Sequence, residues 1–294
     1  MRKQFVSTFE SLIKKDSKLS LLLCDIGVFG FRNSIAKYPN RVINIGILEQ
    51  STIGIACGMS RSGLIPVVHT IAPFLVERAF EQIKIDFGYH NIGCNLVSVG
   101  ASYDYASLGC THHCPADVAL LKNIPGIEIL TPGHPLEFDS LFRQIYKNGN
   151  PSYFRLSEKS NIKSNKVKFG KANLIKKGEK ATIIAIGPVL DVTLQAAEYE
   201  DVDILYYSTI IPFDSKALQK SMEKKTKIMV IEPFYSGTIS DLIIESLNQK
   251  SIMIKSIGVP KEFLRNYGLA EQHDNAIGFT SKNISKELKK LIDA

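Results

Sequence analysis

Short β-prone runs alternate with longer amphipathic stretches along the whole chain. Leu21–Cys24, Val42–Ile45, Ile65–His69, Asn95–Val99 and Glu128–Leu130 are apolar runs of strand length. Between them, Gln50–Arg61 and Phe74–Phe87 carry helical spacing. Repeated strand–helix–strand units require a mainly parallel sheet with helices on both faces. From Ser157 to Lys180 the composition shifts to Lys, Asn, Ser and Gly, which interrupts the pattern. A second alternating set follows, with strands expected at Thr182–Ile186, Asp203–Tyr207, Ile228–Ile231 and Ile252–Ile257 and a last helix near Ser281–Ile292. The expected fold class is therefore α/β with two domains, each a mainly parallel sheet covered by helices. Residues 1–160 form the first domain, 161–180 the linker and 181–294 the second. A chain of 294 residues is long enough for two cores.

The formal net charge of +7 comes from scattered lysines, densest between Lys159 and Lys180. They form no basic stripe and have no interleaved aromatics, so a solvated linker explains them better than a nucleic-acid surface does. No apolar run reaches the length of roughly 18 residues that a membrane-spanning helix needs. The start, Met1-Arg2-Lys3-Gln4-Phe5, lacks the apolar region of a secretory signal. Five cysteines, an odd number, point to reduced thiols. A cytoplasmic protein is expected.

The segment richest in chemistry is Arg41-Val-Ile-Asn-Ile-Gly-Ile-Leu-Glu49-Gln50. A strand ends near Gly46 and a helix begins near Glu49. A carboxylate is thus expected at the carboxyl end of a parallel strand, where open α/β sheets bind ligands. Apolar neighbours favour the neutral acid and the helix N-terminus favours the anion. From these residues alone, Glu49 reads either as a helix-start cap or as a catalytic group. Gly54 and Gly58 lie four apart on one face of the same helix, suited to close packing against a dimer partner or against the sheet.

The wider pattern resembles a known family. Tyr38-Pro-Asn-Arg-Val-Ile-Asn-Ile-Gly-Ile-Leu-Glu49-Gln50, Ala56-Cys-Gly-Met, Gly63-Leu-Ile-Pro-Val-Val, Phe74-x5-Phe80-Glu-Gln-Ile and Gly109-Cys-Thr-His112 follow one another in order. So do Asp117-Val-Ala-Leu-Leu-Lys-Asn-Ile-Pro-Gly and Pro151-Ser-Tyr-Phe-Arg. This series is similar to the pyrimidine-binding domain of transketolases and deoxyxylulose-phosphate synthases. Gly187, Ile211-Pro-Phe-Asp and Val230-Ile-Glu-Pro resemble the family's C-terminal domain.

The resemblance implies a thiamine diphosphate enzyme that transfers a two-carbon ketol unit from a ketose to an aldose. Glu49 matches the carboxyl that hydrogen-bonds N1′ of the aminopyrimidine and favours the tautomer that takes the C2 proton. Phe74 matches the aromatic that stacks on that ring, and Phe80 a second aromatic of the pocket; both also read as helix core. Asp25 matches an acid near the thiamine across the dimer interface, and otherwise reads as a turn residue. His112 matches a histidine beside the cofactor and the reacting sugar oxygen, and otherwise a buried loop histidine. Arg2 matches a substrate-phosphate arginine. The cluster Cys110-Thr-His112-His113-Cys114 is too compact to wrap a tetrahedral zinc ion well, and no metal ligand is assigned in this chain.

The Gly-Asp-Gly that holds the diphosphate through Mg2+ in the family does not occur here. A partner polypeptide, the N-terminal transketolase subunit, is expected to supply it, around a homodimer core in an α2β2 assembly. Ser107 and Leu108 replace the family's Glu-Asp, which removes a hydroxyl acceptor. Glu158 stands where the family has a phosphate-binding arginine, and a carboxylate repels phosphate. Glu77 replaces an aromatic or small residue, and the histidine often found near Val99-Gly100-Ala101 is missing. An unusual acceptor sugar is the consequence. The competing readings are a deoxyxylulose-phosphate-synthase-like condensation of pyruvate with an aldehyde, the β subunit of a 2-oxo acid dehydrogenase, and a non-catalytic scaffold subunit.

Overall fold

The computed structural model describes residues 1–248 and 251–294. The first half builds six strands: β1 (Leu19–Leu23), β2 (Val42–Asn44), β3 (Ile65–Ile71), β4 (Cys94–Val99), β5 (Glu128–Leu130) and β6 (Pro151–Arg155). The second half adds β7 (Asn173–Lys176), β8 (Ala181–Ile186), β9 (Val202–Tyr207), β10 (Thr209–Ile211), β11 (Lys227–Tyr235) and β12 (Met253–Val259). They form two sheets, in the orders β10-β5-β6-β4-β3-β1-β2 and β12-β11-β8-β9-β7. Every pairing is parallel except the edge pairs β10–β5 and β7–β9. This is the α/β architecture that the alternation required.

Strands covered on both faces must be apolar throughout, and β1, Leu-Ser-Leu-Leu-Leu, is buried at all five positions. The same holds for β8, Ala-Thr-Ile-Ile-Ala-Ile. The helix Arg2–Ile13 closes one face of the first sheet by burying Phe5, Phe9, Leu12 and Ile13, a helical spacing. Phe5 meets Phe138 of the helix Pro135–Ile145 edge to face at 5.8 Å. No helix among the described residues is long and apolar enough to cross a membrane.

The structure departs from the sequence reading in detail. Phe74–Phe87 is not one helix but Ala72–Val76, a short turn Phe80–Gln82 and a π-helix Ile83–Tyr89. Residues 173–176, inside the stretch read as linker, pair with β9 as an edge strand. The three-residue β10 crosses back to extend the first sheet, with Thr209 opposite Leu130 and Ile211 opposite Ile129.

Candidate active site

The carboxyl ends of β1, β2 and β3 converge. After β1, Asp25 takes a left-handed φ of 59°, which asparagine and aspartate tolerate better than most residues. Its Oδ1 accepts from Asn44 Nδ2 at 2.7 Å, and its amide donates to Asn44 Oδ1 at 2.9 Å. Asn44 Oδ1 also accepts from the Gly46 amide at 3.3 Å. One asparagine thus ties the Asp25 turn to the turn that leads into the helix Glu49–Arg61.

Glu49 is buried, with 1% of its surface accessible. Among the described residues its oxygens bond not to helix amides but to two side chains. Oε2 meets Arg78 Nη1 at 2.7 Å, and Oε1 accepts from Thr70 Oγ1 at 3.3 Å. The cap reading of Glu49 therefore fails on geometry. A buried charge needs such partners. The Arg78 guanidinium also lies over the Phe74 ring at 4.2 Å. Phe74 in turn meets His112 edge to face at 5.2 Å, and Tyr105 lies 6.5 Å from the same imidazole. Nδ1 of His112 is 3.0 Å from Thr111 Oγ1.

Glu49, Phe74 and His112 are thereby brought together, linked by Arg78. Phe80 packs instead against an apolar cluster that includes Ile83, Ile53 and Val76, and makes no ring contact with Phe74 or His112. Asp25 is exposed at the neighbouring strand end. Arg2 lines a small crevice with Glu158 and Tyr105, the residue whose ring also faces His112. Sequence reasoning did not single out Asn44, Thr70, Arg78, Tyr105 or Tyr267. Only Arg78 left a signal, a basic residue four after Phe74 on one helical face. Tyr267 comes from the second half of the chain. A Cβ on Gly109, whose φ is +76°, would lie 2.7 Å from its ring, so the loop bearing His112 is braced by a distant segment.

Beside these residues, Gly27 starts the helix Val28–Lys37 with a φ of +88°. A Cβ there would come within 2.8 Å of His69 Cδ2. His69 is fully buried, its Nδ1 is bonded to the Val97 carbonyl at 2.8 Å, and burial pushes its pKa down to about 4. Cys24 is also buried, and burial raises its thiol to about 11, so it is not a nucleophile at neutral pH.

The surface beside Glu49 carries exposed apolar side chains. Ile47 and Leu48, the two residues before it, are 65% and 56% exposed. Gly54 and Gly58 are exposed, and a Cβ on Gly58 would meet nothing within 4 Å. These glycines are therefore not spent on packing against the sheet.

Cys110 is exposed, whereas Cys114 is buried and donates to Glu77 Oε1 at 3.6 Å. Among the described residues no three His, Cys, Asp or Glu side chains gather as a metal site. The buried carboxylate and the adjoining aromatic fit the edge and face of an aminopyrimidine, provided Arg78 moves. Its side chain is 39% exposed, so it has room to do so.

The transketolase pyrimidine-binding domain family matches residues 1–163, and the transketolase C-terminal domain family matches residues 170–284. An uncharacterized 33.6 kDa protein of the fasciation locus of Rhodococcoides fascians is 35% identical over 291 residues, covering 98% of this chain and 93% of that protein. An apulose-4-phosphate transketolase subunit of Phocaeicola vulgatus is 28% identical, over 89% of this chain and 88% of its own. Among solved structures, the inactive β4 tetramer of a split-gene transketolase superposes with a TM-score of 0.85 at 23% identity, covering 99% and 97% of the two chains.

Proposed function

From the premise that this chain belongs to the transketolase family, we propose that it is the pyrimidine-side subunit of a split transketolase dependent on thiamine diphosphate and Mg2+. The observation that carries the reading is the buried Glu49 beside Phe74 and His112 at the ends of parallel strands. The relative from Phocaeicola vulgatus, itself named as one subunit of a transketolase, supports a divided enzyme. Exposed Ile47 and Leu48 support a subunit that closes over Glu49, since large exposed apolar side chains side by side mark association surfaces.

In this reading, the cofactor supplies the carbanion chemistry and the partner subunit holds its diphosphate and Mg2+. Glu49 exchanges Arg78 for the pyrimidine N1′ and holds the proton there. Phe74 presents a flat apolar face once Arg78 leaves it. His112, held edge-on by Phe74, donates to or takes a proton from the sugar oxygen. Asp25 approaches the thiamine of the second protomer in a homodimer core within an α2β2 assembly. Phe80 supports the pocket from the helix side. Arg2 and Glu158 border the far end of the substrate path, where a carboxylate selects an acceptor without a phosphate at that end.

The test is reconstitution with the partner subunit, followed by titration with thiamine diphosphate and Mg2+. Coupled assays then supply ketose donors and unphosphorylated or phosphorylated aldose acceptors. Cofactor binding by the pair but not by this chain alone, with ketol transfer, is the expected result. Pyruvate consumption with release of CO2 would redirect the reading to the synthase chemistry. Full cofactor binding by this chain alone would overturn the shared site.

A further inference from the structure

One well-formed cavity does not include Glu49, Phe74 or His112. It measures about 370 Å³ and opens where the carboxyl ends of both sheets meet. In the second sheet, β8 lies between β9 and β11. The chain leaves β8 for β9 on one side, whereas β11 and β12 lie on the other. The crevice beside β8 is thus a topological switch point, the place where open α/β sheets bind ligands. Pro188 and Val189 after β8, Pro233 in β11 and Val259 at the end of β12 line the cavity there. The first sheet contributes the ends of β4 and β6, through Asp104 and Arg155.

The wall is built to read polar groups. Arg155 is 2% exposed. Its Nε bonds Asp117 at 2.7 Å and its Nη2 bonds Ser102 Oγ at 2.8 Å. No hydrogen bond from its Nη1 is found among the described residues. Across the cavity, Asp191 Oδ2 accepts from the Ile162 amide at 2.6 Å, and no bond to Oδ1 is found among the described residues. A donor and an acceptor are therefore left over in the lining, one on each domain, together with apolar Val189, Val192 and Phe279.

The charge balance narrows the ligand. Arg155 is paired with Asp117, and Lys159 with Asp274. Asp104 forms no salt bridge among the described residues but lies in the field of Arg155 and of the Met1 amine. The acids lining the cavity, Asp104, Asp191 and Asp274, still outnumber its cations, Arg155 and Lys159, so the fixed charge disfavours a phosphate. A cavity of this size suits a small molecule with an apolar face.

We propose that this cavity is a second ligand site, for a polyhydroxylated molecule of nucleoside or amino-sugar size that is uncharged or carries an amine and has no phosphate. Its hydroxyls accept from Arg155 and donate to Asp191. It bridges the two domains and binds whether or not the partner subunit is present.

The test is calorimetric titration and thermal shift of the full chain with adenosine and glucosamine, each beside its phosphate ester, adenosine 5′-monophosphate and glucosamine 6-phosphate. At least one parent compound is expected to bind with a millimolar or lower Kd, and its ester at least about tenfold more weakly. Asp191→Asn weakens the parent at least about tenfold, because the amide no longer offers a charged acceptor. Val192→Trp fills the cavity and abolishes binding. Gln195→Trp, at the exposed rim, serves the same purpose if Val192→Trp fails to fold. No binding of either parent at about 10 mM, tighter binding of an ester, or undiminished binding by the folded tryptophan variant overturns the proposal.

Discussion

Glu49 and Arg78 are joined across 29 residues by a 2.7 Å ion pair in which the carboxylate is buried and the guanidinium is partly open to solvent. The pair stabilises the free subunit and at the same time occupies the carboxylate. Breaking it leaves an uncompensated buried charge, the costlier half of such a pair to expose. Arg78→Ala is expected to lower the melting temperature of the isolated chain by a few degrees. In a Glu49→Gln background the same substitution is expected to have a much smaller effect. The four melting temperatures of this cycle measure the coupling, and equal losses in both backgrounds would show that Arg78 acts through Phe74 alone.

Glu49→Gln also tests the chemistry. A carboxamide keeps the volume but cannot hold an extra proton. In the reconstituted complex, turnover is expected to fall by about 10²-fold or more, with subunit association unchanged. Sedimentation of the complex together with its turnover number checks both halves. Unchanged turnover would leave the neighbourhood of Glu49 a structural device.

Phe74 joins Arg78 on its face to His112 at its edge. Phe74→Leu retains apolar volume and loses the flat ring. It is expected to weaken cofactor binding in the complex by roughly tenfold, the scale of one ring contact, and to leave the isolated chain folded. Circular dichroism of the free chain and calorimetry of the complex separate the two effects.

The β-prone runs foretold the parallel strands because burial on both faces writes itself into consecutive apolar residues, as in β1 and β8. Thr209–Ile211 escaped notice because it is three residues long and its place depends on a pairing with Leu130 and Ile129 about 80 positions earlier. Glu49 was legible because a strand end, a glycine and a helix start surround it. The spacing of Arg78 from Phe74 hinted at their contact, but its pairing with Glu49 was not legible, because that partner is chosen by the break between Ala72–Val76 and the π-helix Ile83–Tyr89. Tyr267 was invisible for the same reason as β10: its contact with Gly109 joins the two halves of the chain.

Gly27 and His69 make a second tertiary dependence. Gly27→Ala places a Cβ at 2.8 Å from the His69 ring on a backbone of φ +88°. The left-handed conformation alone costs about 1–2 kcal/mol for a residue with a side chain, and the clash adds to it. A clear loss of stability in chemical denaturation is expected. His69 itself links stability to acid. Its folded pKa of about 4 lies below the unfolded value, so the unfolded chain takes up the proton first. The stabilising contribution is fully present above pH 6.5 and declines as pH falls toward 4, by about 3 kcal/mol in all. His69→Gln should flatten that part of the stability profile.

Glu232 acts in the opposite direction. It is fully buried, and its Oε2 has no hydrogen-bond partner among the described residues. Burial pushes its pKa up to about 8, against the pull of the Gly237 and Ile239 amides. Here the folded pKa lies above the unfolded one, so the folded chain holds the proton more tightly. Stability is then greatest below the unfolded carboxyl pKa and is lost as pH rises through about 8. Glu232→Gln removes the titration while keeping an oxygen to accept from the Gly237 amide. The variant should lose less stability than the parent between pH 6 and pH 9. Urea denaturation at several pH values measures this directly. Parallel profiles for the two proteins would mean that Glu232 is already ionised in the folded chain at neutral pH.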